Sequence, residues 1–374
     1  MAYWQVLNKL CYFLGNLLKL DQSIIDHQQH SLTLELCHLP CFNQLKVEHI
    51  RHIDAGLSNP CFHVSYENKS LFAKYLTANS IEPFVSQLAA SEGIAPKLVY
   101  VGHNWLVTEF ITGQGLEKSD QSEDEKIAIV LALLARCHSI LDLSVSYNSQ
   151  RNHQALAQKT FITDVNVPTQ SNIPNLDISA TINQLLQKIK LSDTQDKALQ
   201  FLLNILQKNL VNTSKFLSNI QQVLCHGDTN FSNVIQLKND DTSAEPLYKL
   251  IDFECACIAP IEYELAMLMA VNNIDAGKVE LIESLYQQAI ISKKLPNKPL
   301  DIVDNIASKT QNTLKTSTVL VTCYLDFSFL INALWYMVEY QSRKQLKYKK
   351  LAIKQLSILA IRYPQADIVL NEMR

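Results

Sequence analysis

The chain has 374 residues, of which 47% are hydrophobic and 18% are charged, an ordinary composition for a globular protein of about two domains. The formal net charge of −3 argues against a nucleic-acid partner, because displacing counterions from phosphates requires a basic surface, and only 343–354 is locally basic. Nine scattered cysteines without a C-x-x-C pair favour neither a disulfide framework nor a zinc site, and predict reduced thiols in a cytoplasmic protein.

The first 45 residues begin with apolar residues at helical spacing. This spacing predicts an amphipathic helix over 3–20. Interrupting polar residues argue against a transmembrane segment, and the lack of a charged start and a cleavage site argues against a signal peptide. The helix can pack on the body of the protein or on a second copy in a homo-oligomer. A membrane-surface helix is less favoured, because its polar face has few Lys and Arg.

From residue 46 the apolar pattern becomes that of β-strands, interrupted by one predicted helix over 80–92. The loop 54–60 between the first two strands contains small residues, which allow backbone N–H groups to approach an anion. The predicted strands span 46–53, 61–66, 70–76, 97–102 and 105–110, with a turn at Glu67-Asn68-Lys69.

The remainder of the chain is predicted to be mostly helical. Strong apolar periodicity predicts a helix over 123–141, and two further helices are predicted over 178–189 and 193–220. The segment 151–176 is rich in Asn, Gln, Thr and Pro, which predicts an irregular loop or insert.

The most informative stretch is 223–235, where apolar runs flank His226-Gly227-Asp228 and, five residues after the aspartate, Asn233. A further apolar run ends at Asp252. Phosphoryl transfer uses such residues: Asp228 can accept a hydroxyl proton, while Asn233 and Asp252 offer oxygen ligands to magnesium. The spacing is that of the kinase loop H-R-D-x-x-x-x-N with Gly in place of Arg. The alternative is a loop whose Asp and Asn only form turns and caps.

These motifs resemble those of the aminoglycoside phosphotransferase and choline kinase family of small-molecule kinases, whose loop reads H-G-D-x-x-x-x-N. The G-x-S-N form of the loop 54–60 and the Asp252-Phe253-Glu254 sequence are similar to those of choline and thiamine kinases. The aromatic-rich stretch 329–340 resembles the late helix of the same two enzymes, and its continuation over 342–359 looks more like thiamine kinase. The resemblance covers roughly 47–359. It implies an α+β, protein-kinase-like fold of two lobes: after the extension 1–45, a small antiparallel-sheet, nucleotide-binding N-lobe over 46–112 and a mainly helical C-lobe over 113–374 with the catalytic and acceptor sites.

The resemblance also implies a nucleotide site outside the catalytic loop. Lys74 matches the strand lysine that pairs with the α- and β-phosphates, and Glu82 matches the helix glutamate that pairs with this lysine. Without the resemblance, the alternative for Lys74 is a solvated residue of an edge strand. The alternative for Glu82 is a glutamate that the helix dipole favours in a first turn. The other implied nucleotide-binding residues are Ser58, Asn59 and, in the hinge that binds adenine through its backbone, Glu109 and Ile111.

Aromatic and acidic residues of the late helix suit a cationic acceptor. Trp335 and Glu339 lie one helical turn apart, and Glu254 directly follows the predicted metal site, so these three are the predicted acceptor-binding residues. The alternative is an aromatic stripe that belongs to the core.

Transfer of the γ-phosphate of ATP, with Mg²⁺, to a hydroxyl of choline, ethanolamine or a thiamine-type alcohol is therefore expected. An aminoglycoside or another small-molecule hydroxyl is the alternative acceptor. A nucleotide-binding pseudokinase is the non-catalytic alternative, which Lys74, Asp228, Asn233 and Asp252 disfavour.

Two further residues concern structure rather than chemistry. His138 ends a stretch similar to the family's helix ending in Leu-His, which indicates a buried, hydrogen-bonding histidine rather than a catalyst. Glu264 stands where the family has the Asp of Asp-Leu-Ala, which leaves open whether it serves the same capping role.

Overall fold

The computed structural model describes residues 29–53, 59–77, 79–141, 173–215, 217, 220–238, 247–294 and 316–373. The predicted helix over 3–20, Ser58 and residues 151–172 lie outside them. The chain forms two compact units: the smaller contains the described parts of Met1–Ser80 and Lys97–Phe110, and the larger contains Ile81–Pro96 and the described residues from 111 onward. The predicted domain boundaries after residues 45 and 112 stay predictions.

The smaller unit is built on a five-stranded antiparallel sheet of order β1-β2-β3-β5-β4. Two of its hairpins turn through residue pairs with positive φ, Glu67 (47°) with Asn68 (60°) and His103 (50°) with Asn104 (63°). Positive φ at both central residues is the geometry of tight two-residue hairpin turns, and it confirms the predicted turn after residue 66. The strands are β1 (Ile50–Ile53), β2 (Cys61–Tyr66), β3 (Lys69–Tyr75), β4 (Leu98–Gly102) and β5 (Trp105–Glu109).

One face of this sheet is covered by a helix, α1, over residues 29–37 and by the chain that follows it. Leu32 and Leu36 of α1 are buried together with Phe62, Val64 and other sheet residues. The buried indole N–H of Trp105 donates a hydrogen bond to Oε1 of Glu35 at 2.9 Å, which satisfies its polar group. The described residues before 46 therefore share the core of the smaller unit.

The larger unit is mainly helical, with short strands that frame one loop region. Capping boxes define the starts of two helices: Ser122 with Glu125 and Ser192 with Gln195 each exchange side-chain and backbone hydrogen bonds. The helices are α2 (Glu82–Ser91), α3 (Glu123–Cys137), α4 (Ile178–Leu186), α5 (Asp193–Ser214), α6 (Ile261–Asn272), α7 (Val279–Lys294), α8 (Thr318–Arg343), α9 (Leu346–Ala360) and α10 (Pro364–Met373), and the strands are β6 (Gly113–Gly115), β7 (Gln222–Cys225), β8 (Val234–Leu237), β9 (Tyr248–Leu250) and β10 (Cys257–Pro260).

The predicted late helix is broken into two. Lys344 has a φ of +56°, and its N–H donates to the carbonyl of Tyr340, which ends α8; α9 then begins at Leu346. A left-handed residue after a helix is usually Gly or Asn. Because this position is a lysine, the sequence carried no signal for the break.

Helices α6 and α8 pack together at the centre of the larger unit. All ten residues from Ile261 to Ala270 are buried, so α6 has no solvent-exposed face over this span. Within the described residues, α8 alone is long and apolar enough to cross a bilayer, but 67% of its most apolar window is buried inside the protein. Strand β10, which leads directly into α6, pairs antiparallel with β7, with Cys257 opposite Cys225. This pairing places α6 behind the loop that leaves β7.

The observed elements confirm the α+β fold class: a small antiparallel sheet and a mainly helical remainder. The eight cysteines in the described residues are free thiols, as their scatter in the sequence predicts.

Candidate active site

The loop after β7 turns sharply at Gly227. This residue has a φ of +81°, and a Cβ added to it would lie 2.2 Å from the carbonyl oxygen of Cys255. Only glycine tolerates both the left-handed backbone and this close approach. The contact explains why the loop has Gly where protein kinases have Arg.

Asp228 and Asn233 are held together across the loop. The side-chain Nδ2 of Asn233 donates to Oδ2 and to the backbone oxygen of Asp228, both at 3.0 Å. Because the amide donates through nitrogen, its oxygen remains available as a metal ligand. Burial raises the pKa of Asp228, and the charges of Asp252 and Glu254 raise it further, against the lowering effects of His226 and the Asn233 hydrogen bond. The structure therefore brings a half-buried carboxylate and the predicted metal-binding amide into direct contact.

His226, which is fully buried, has a structural role in this loop. Its Nδ1 accepts the backbone N–H of Asp228 at 3.3 Å, so the proton is on Nε2, which donates to the carbonyl of Ile251 at 2.9 Å. The ring packs against Phe253, with centroids 4.6 Å apart. The histidine thus links the loop to the segment that carries Asp252.

Glu264 of α6 caps the same loop from behind. Its carboxylate is fully buried and accepts the backbone N–H of His226 at 2.5 Å and that of Gly227 at 3.2 Å. Burial raises the pKa of Glu264, but the neighbouring His138 and His226 and the loop N–H outweigh it, so the pKa lies below its usual value. Glu264 therefore holds the backbone of the catalytic loop; it does not cap α6, whose N-cap residue is Pro260.

His138 stands on the other side of this carboxylate. It is buried, its Nδ1 lies 2.6 Å from the hydroxyl of Tyr286, and its Nε2 is 3.8 Å from Oε2 of Glu264. The distance to Glu264 is too long for a hydrogen bond but short enough for electrostatic attraction. The predicted buried hydrogen-bonding role of His138 is confirmed.

Asn272, the last residue of α6, is a second support for the loop. Its Oδ1 accepts the backbone N–H of Phe231 at 2.8 Å, and its Nδ2 donates to the carbonyl of Thr229 at 2.9 Å. The same Nδ2 donates to the carbonyl of Leu268 within the helix. One amide therefore fixes the middle of the catalytic loop to the buried helix.

Three carboxylates of the larger unit converge near the loop. Oxygen atoms of Glu82, Asp252 and Glu254 lie within 4.8 Å of one another. Asp252 has a φ of +68° and a ψ of +65°, a left-handed conformation that is costly for an aspartate and concentrates at functional sites. A group of convergent carboxylate oxygens fits a hard divalent cation such as Mg²⁺.

The predicted nucleotide-binding residues are divided between the two units. Lys74 of β3 is buried in the smaller unit, whereas Glu82 begins α2 in the larger unit, so their pairing stays a prediction. Glu109 ends β5 of the smaller unit. Asn59 is separated from the start of β2 only by Pro60. Ile111, the last residue of the predicted hinge, is where the larger unit resumes. These nucleotide-binding assignments stay predictions.

The predicted acceptor residues of α8 are half-buried. Glu339 is already ion-paired, with its Oε2 2.5 Å from Nε of Arg343. The ring of Trp335 makes edge contacts with Tyr336 and Tyr348, with centroids 5.3 and 6.2 Å apart. Burial raises the pKa of Tyr336, and the charge of Asp228 raises it further.

Sequence comparison identifies the family. The family model for choline/ethanolamine kinase matches residues 50–360, most of the chain and nearly the predicted extent of 47–359. The chain belongs to the choline/ethanolamine kinase family. It is therefore a small-molecule kinase, as the catalytic loop predicts. No curated protein matches its sequence significantly.

Solved structures show the same fold for this kinase at low sequence identity. A choline/ethanolamine kinase family protein from Mesorhizobium loti superposes with a TM-score of 0.53 at 13% identity, covering 92% of this chain and 99% of that one. An ethanolamine kinase from Plasmodium vivax gives 0.53 at 16% identity, covering 85% of each chain. A choline kinase from Streptococcus pneumoniae, LicA, gives 0.51 at 13% identity, covering 88% and 99%. These likenesses confirm the kinase-like fold.

One support of the kinase's catalytic loop, Asn272, could not be predicted from the sequence. It had no signal, because it lies 39 residues beyond Asn233 and outside any recognised motif.

Proposed function

We propose that this kinase transfers the γ-phosphate of ATP to a hydroxyl of a small, positively charged alcohol of the choline, ethanolamine or thiamine type. The observation that carries the proposal is the joined pair of Asp228 and Asn233, on a loop whose start and middle are hydrogen-bonded to a buried helix. Asp228 accepts the proton of the acceptor hydroxyl, and Asn233 fixes the direction of its carboxylate. Positioning and charge stabilisation account for most of the catalysis in phosphoryl transfer.

Asn233 and Asp252 are the proposed magnesium ligands, and Glu254 and Glu82 stand beside Asp252. When bound, the ion neutralises charge on the transferring phosphate. The donor set consists of oxygen atoms, which supports this assignment. Without a cation, the three convergent carboxylates of Glu82, Asp252 and Glu254 would repel the negatively charged nucleotide.

ATP is the proposed phosphate donor. A solved structure of LicA in complex with AMP, similar to this chain with a TM-score of 0.51 at 14% identity, supports an adenine nucleotide. Lys74 is the proposed partner of the α- and β-phosphates, and its burial in the sheet is consistent with a functional rather than a solvated lysine. Ser58, Asn59, Glu109 and Ile111 are the further proposed nucleotide contacts.

A cationic acceptor is supported by the aromatic and acidic character near the loop. Trp335 and Tyr336 are half-buried neighbours on α8 whose rings make an edge contact, and aromatic rings of this kind can bind a cation over their faces. Glu254 contributes negative charge beside Asp252. Glu339 is the weaker of the proposed acceptor carboxylates, because Arg343 offsets its charge.

A substrate panel tests the proposal. Phosphate transfer from Mg²⁺–ATP is measured with choline, ethanolamine and thiamine, with uncharged alcohols of similar size, and with an aminoglycoside. Turnover of a cationic alcohol, absent in the Asp228→Asn variant, is expected. Equal turnover of neutral alcohols would refute the cation preference, and preference for the aminoglycoside would refute the acceptor class. ATP binding without turnover of any acceptor would indicate a pseudokinase.

A further inference from the structure

Positive charge is concentrated in one segment of the larger unit. Residues 340–366 contain seven Lys and Arg and no Asp or Glu, whereas the rest of the chain, with 26 basic and 36 acidic residues, has a net charge of −10. Most of the segment forms α9. Such an uneven distribution indicates a local electrostatic function rather than a general solubilising one.

Three of the four lysines of α9 lie on its solvent face, and the fourth, Lys349, is half-buried. At 100° per residue, five exposed residues fall within an arc of about 100°. Ile361, just past the helix, keeps helical backbone angles (φ −59°, ψ −34°), so the same rotation applies to it. We call this set the cationic face: Leu346, Lys347, Lys350, Lys354 and Ile361.

The opposite side of the helix is fixed in the protein core. Its residues are buried and include the large ring of Tyr348, and Nε2 of Gln355 donates to the carbonyl of Ala270 at the end of α6. The helix therefore cannot rotate to hide its exposed side. The buried residues of this side are Tyr348, Ala352, Gln355, Leu356 and Leu359.

The lysines of the cationic face are available to a partner. Among the described residues, Lys347, Lys350 and Lys354 make no ion pair with a carboxylate, and Lys347 lies 4.9 Å from the ring centroid of its neighbour Tyr348. By contrast, the two arginines of the segment are ion-paired, Arg343 with Glu339 and Arg362 with Asp326.

Two aliphatic side chains stand at the ends of the same face. Leu346 is 64% exposed and Ile361 is 83% exposed, and the 15 residue steps from one to the other span about 22 Å along the helix at 1.5 Å per residue. Phosphate groups of a nucleic acid would use the lysines but would leave these apolar side chains in water. A lipid surface takes both, because its head groups are anionic and its acyl boundary accepts apolar side chains.

We propose that the cationic face of α9 binds an anionic phospholipid surface, with the helix lying parallel to it. The three lysines contact the head groups, and Leu346 and Ile361 enter the acyl boundary. The inference rests on the distribution of charge and exposure in α9, and it is independent of the acceptor that the kinase uses.

The test uses the full-length protein and sedimentation with vesicles in 0.1 M salt. One set of vesicles is phosphatidylcholine alone, and the other contains phosphatidylserine as well. The variants are K347Q/K350Q/K354Q and L346S/I361S. A control, K188Q/K197Q/K208Q, removes the same charge from exposed lysines elsewhere in the larger unit. Circular dichroism and phosphotransfer activity confirm that each variant is folded.

Wild type and control are expected to bind only the phosphatidylserine vesicles. Neutralising the three lysines should lower the partition coefficient on the order of a hundredfold, because each lysine near an anionic surface contributes roughly a fivefold change. L346S/I361S should also bind these vesicles more weakly. Absence of wild-type binding, or equal loss in the control, would overturn the proposal. Full binding by L346S/I361S, together with tighter wild-type binding to an RNA homopolymer, would identify a nucleic-acid surface instead.

Discussion

Replacing Gly227 with alanine should displace the catalytic loop. The added Cβ would lie 2.2 Å from the backbone oxygen of Cys255, whereas real Cβ atoms essentially never come closer than 3.0 Å. The loop or the carbonyl must therefore move by about 0.8 Å. The carbonyl belongs to the backbone between Asp252 and β10, so it cannot rotate away as a side chain would.

The cost of this change has two parts. Holding alanine at a left-handed φ costs about 1–2 kcal/mol, which should appear as a loss in the free energy of unfolding. Asp228 is the next residue, and a misplacement of about 1 Å at a catalytic group can lower the rate about 100-fold. Gly227→Ala should therefore reduce kcat/KM by about two orders of magnitude.

Initial rates of phosphotransfer and urea denaturation measure these effects. Gly277→Ala is the matched control, because its added Cβ would meet only the side-chain Oδ1 of Asp275, at 2.8 Å, on the exposed surface. The control should keep near-normal rates, since that carboxylate can rotate away. A Gly227→Ala variant with kcat/KM within threefold of wild type would refute the claim that the close approach to Cys255 positions the base.

Four further predictions concern single side chains. Asp228→Asn should lower kcat by about 10²–10⁴-fold while nucleotide titration shows unchanged ATP affinity, because the base contacts the acceptor. Asp252→Ala should weaken Mg²⁺-dependent ATP binding more than Asn233→Ala does, since a carboxylate holds the ion more strongly than an amide; equal, unchanged affinities would contradict this. Glu264→Gln should destabilise the protein by about 3–5 kcal/mol in urea denaturation, and Glu264→Asp by less, because the latter keeps the charge. Trp335→Ala should raise KM for the acceptor and leave KM for ATP near normal, and the reverse pattern would exclude Trp335 from the acceptor site.

Local signals in the sequence predicted most of the elements. The strands of the smaller unit and the helices α2 to α5 were found within a few residues, because each has a regular apolar period and ends at turn or capping residues. The predicted helix over 193–220 ends in the structure at Ser214. The break at Lys344 could not be predicted, since its left-handed backbone is set by the packing of α8 and α9 rather than by a Gly.

The candidate site also contains some residues that the sequence predicts and others that it does not. Asp228, Asn233 and Asp252 follow a motif whose spacing the chemistry itself imposes, so a single sequence was sufficient to propose them. The supports of the loop are different, because their roles depend on contacts distant in sequence: Gly227 meets the carbonyl of Cys255, and Asn272 meets the backbone of Phe231. No local pattern encodes such contacts.

The attachment of the catalytic loop to α6 determines how the active site responds to heat. Glu264 near the start of this helix and Asn272 at its end both bind loop backbone, and the ten residues from Ile261 to Ala270 are buried. Loop backbone cannot detach unless these hydrogen bonds break, and the helix cannot move without opening the core. Active sites are often among the least stable parts of an enzyme. Here the catalytic loop is hydrogen-bonded to the buried helix α6. We therefore expect activity to be lost in the same thermal transition that unfolds the larger unit.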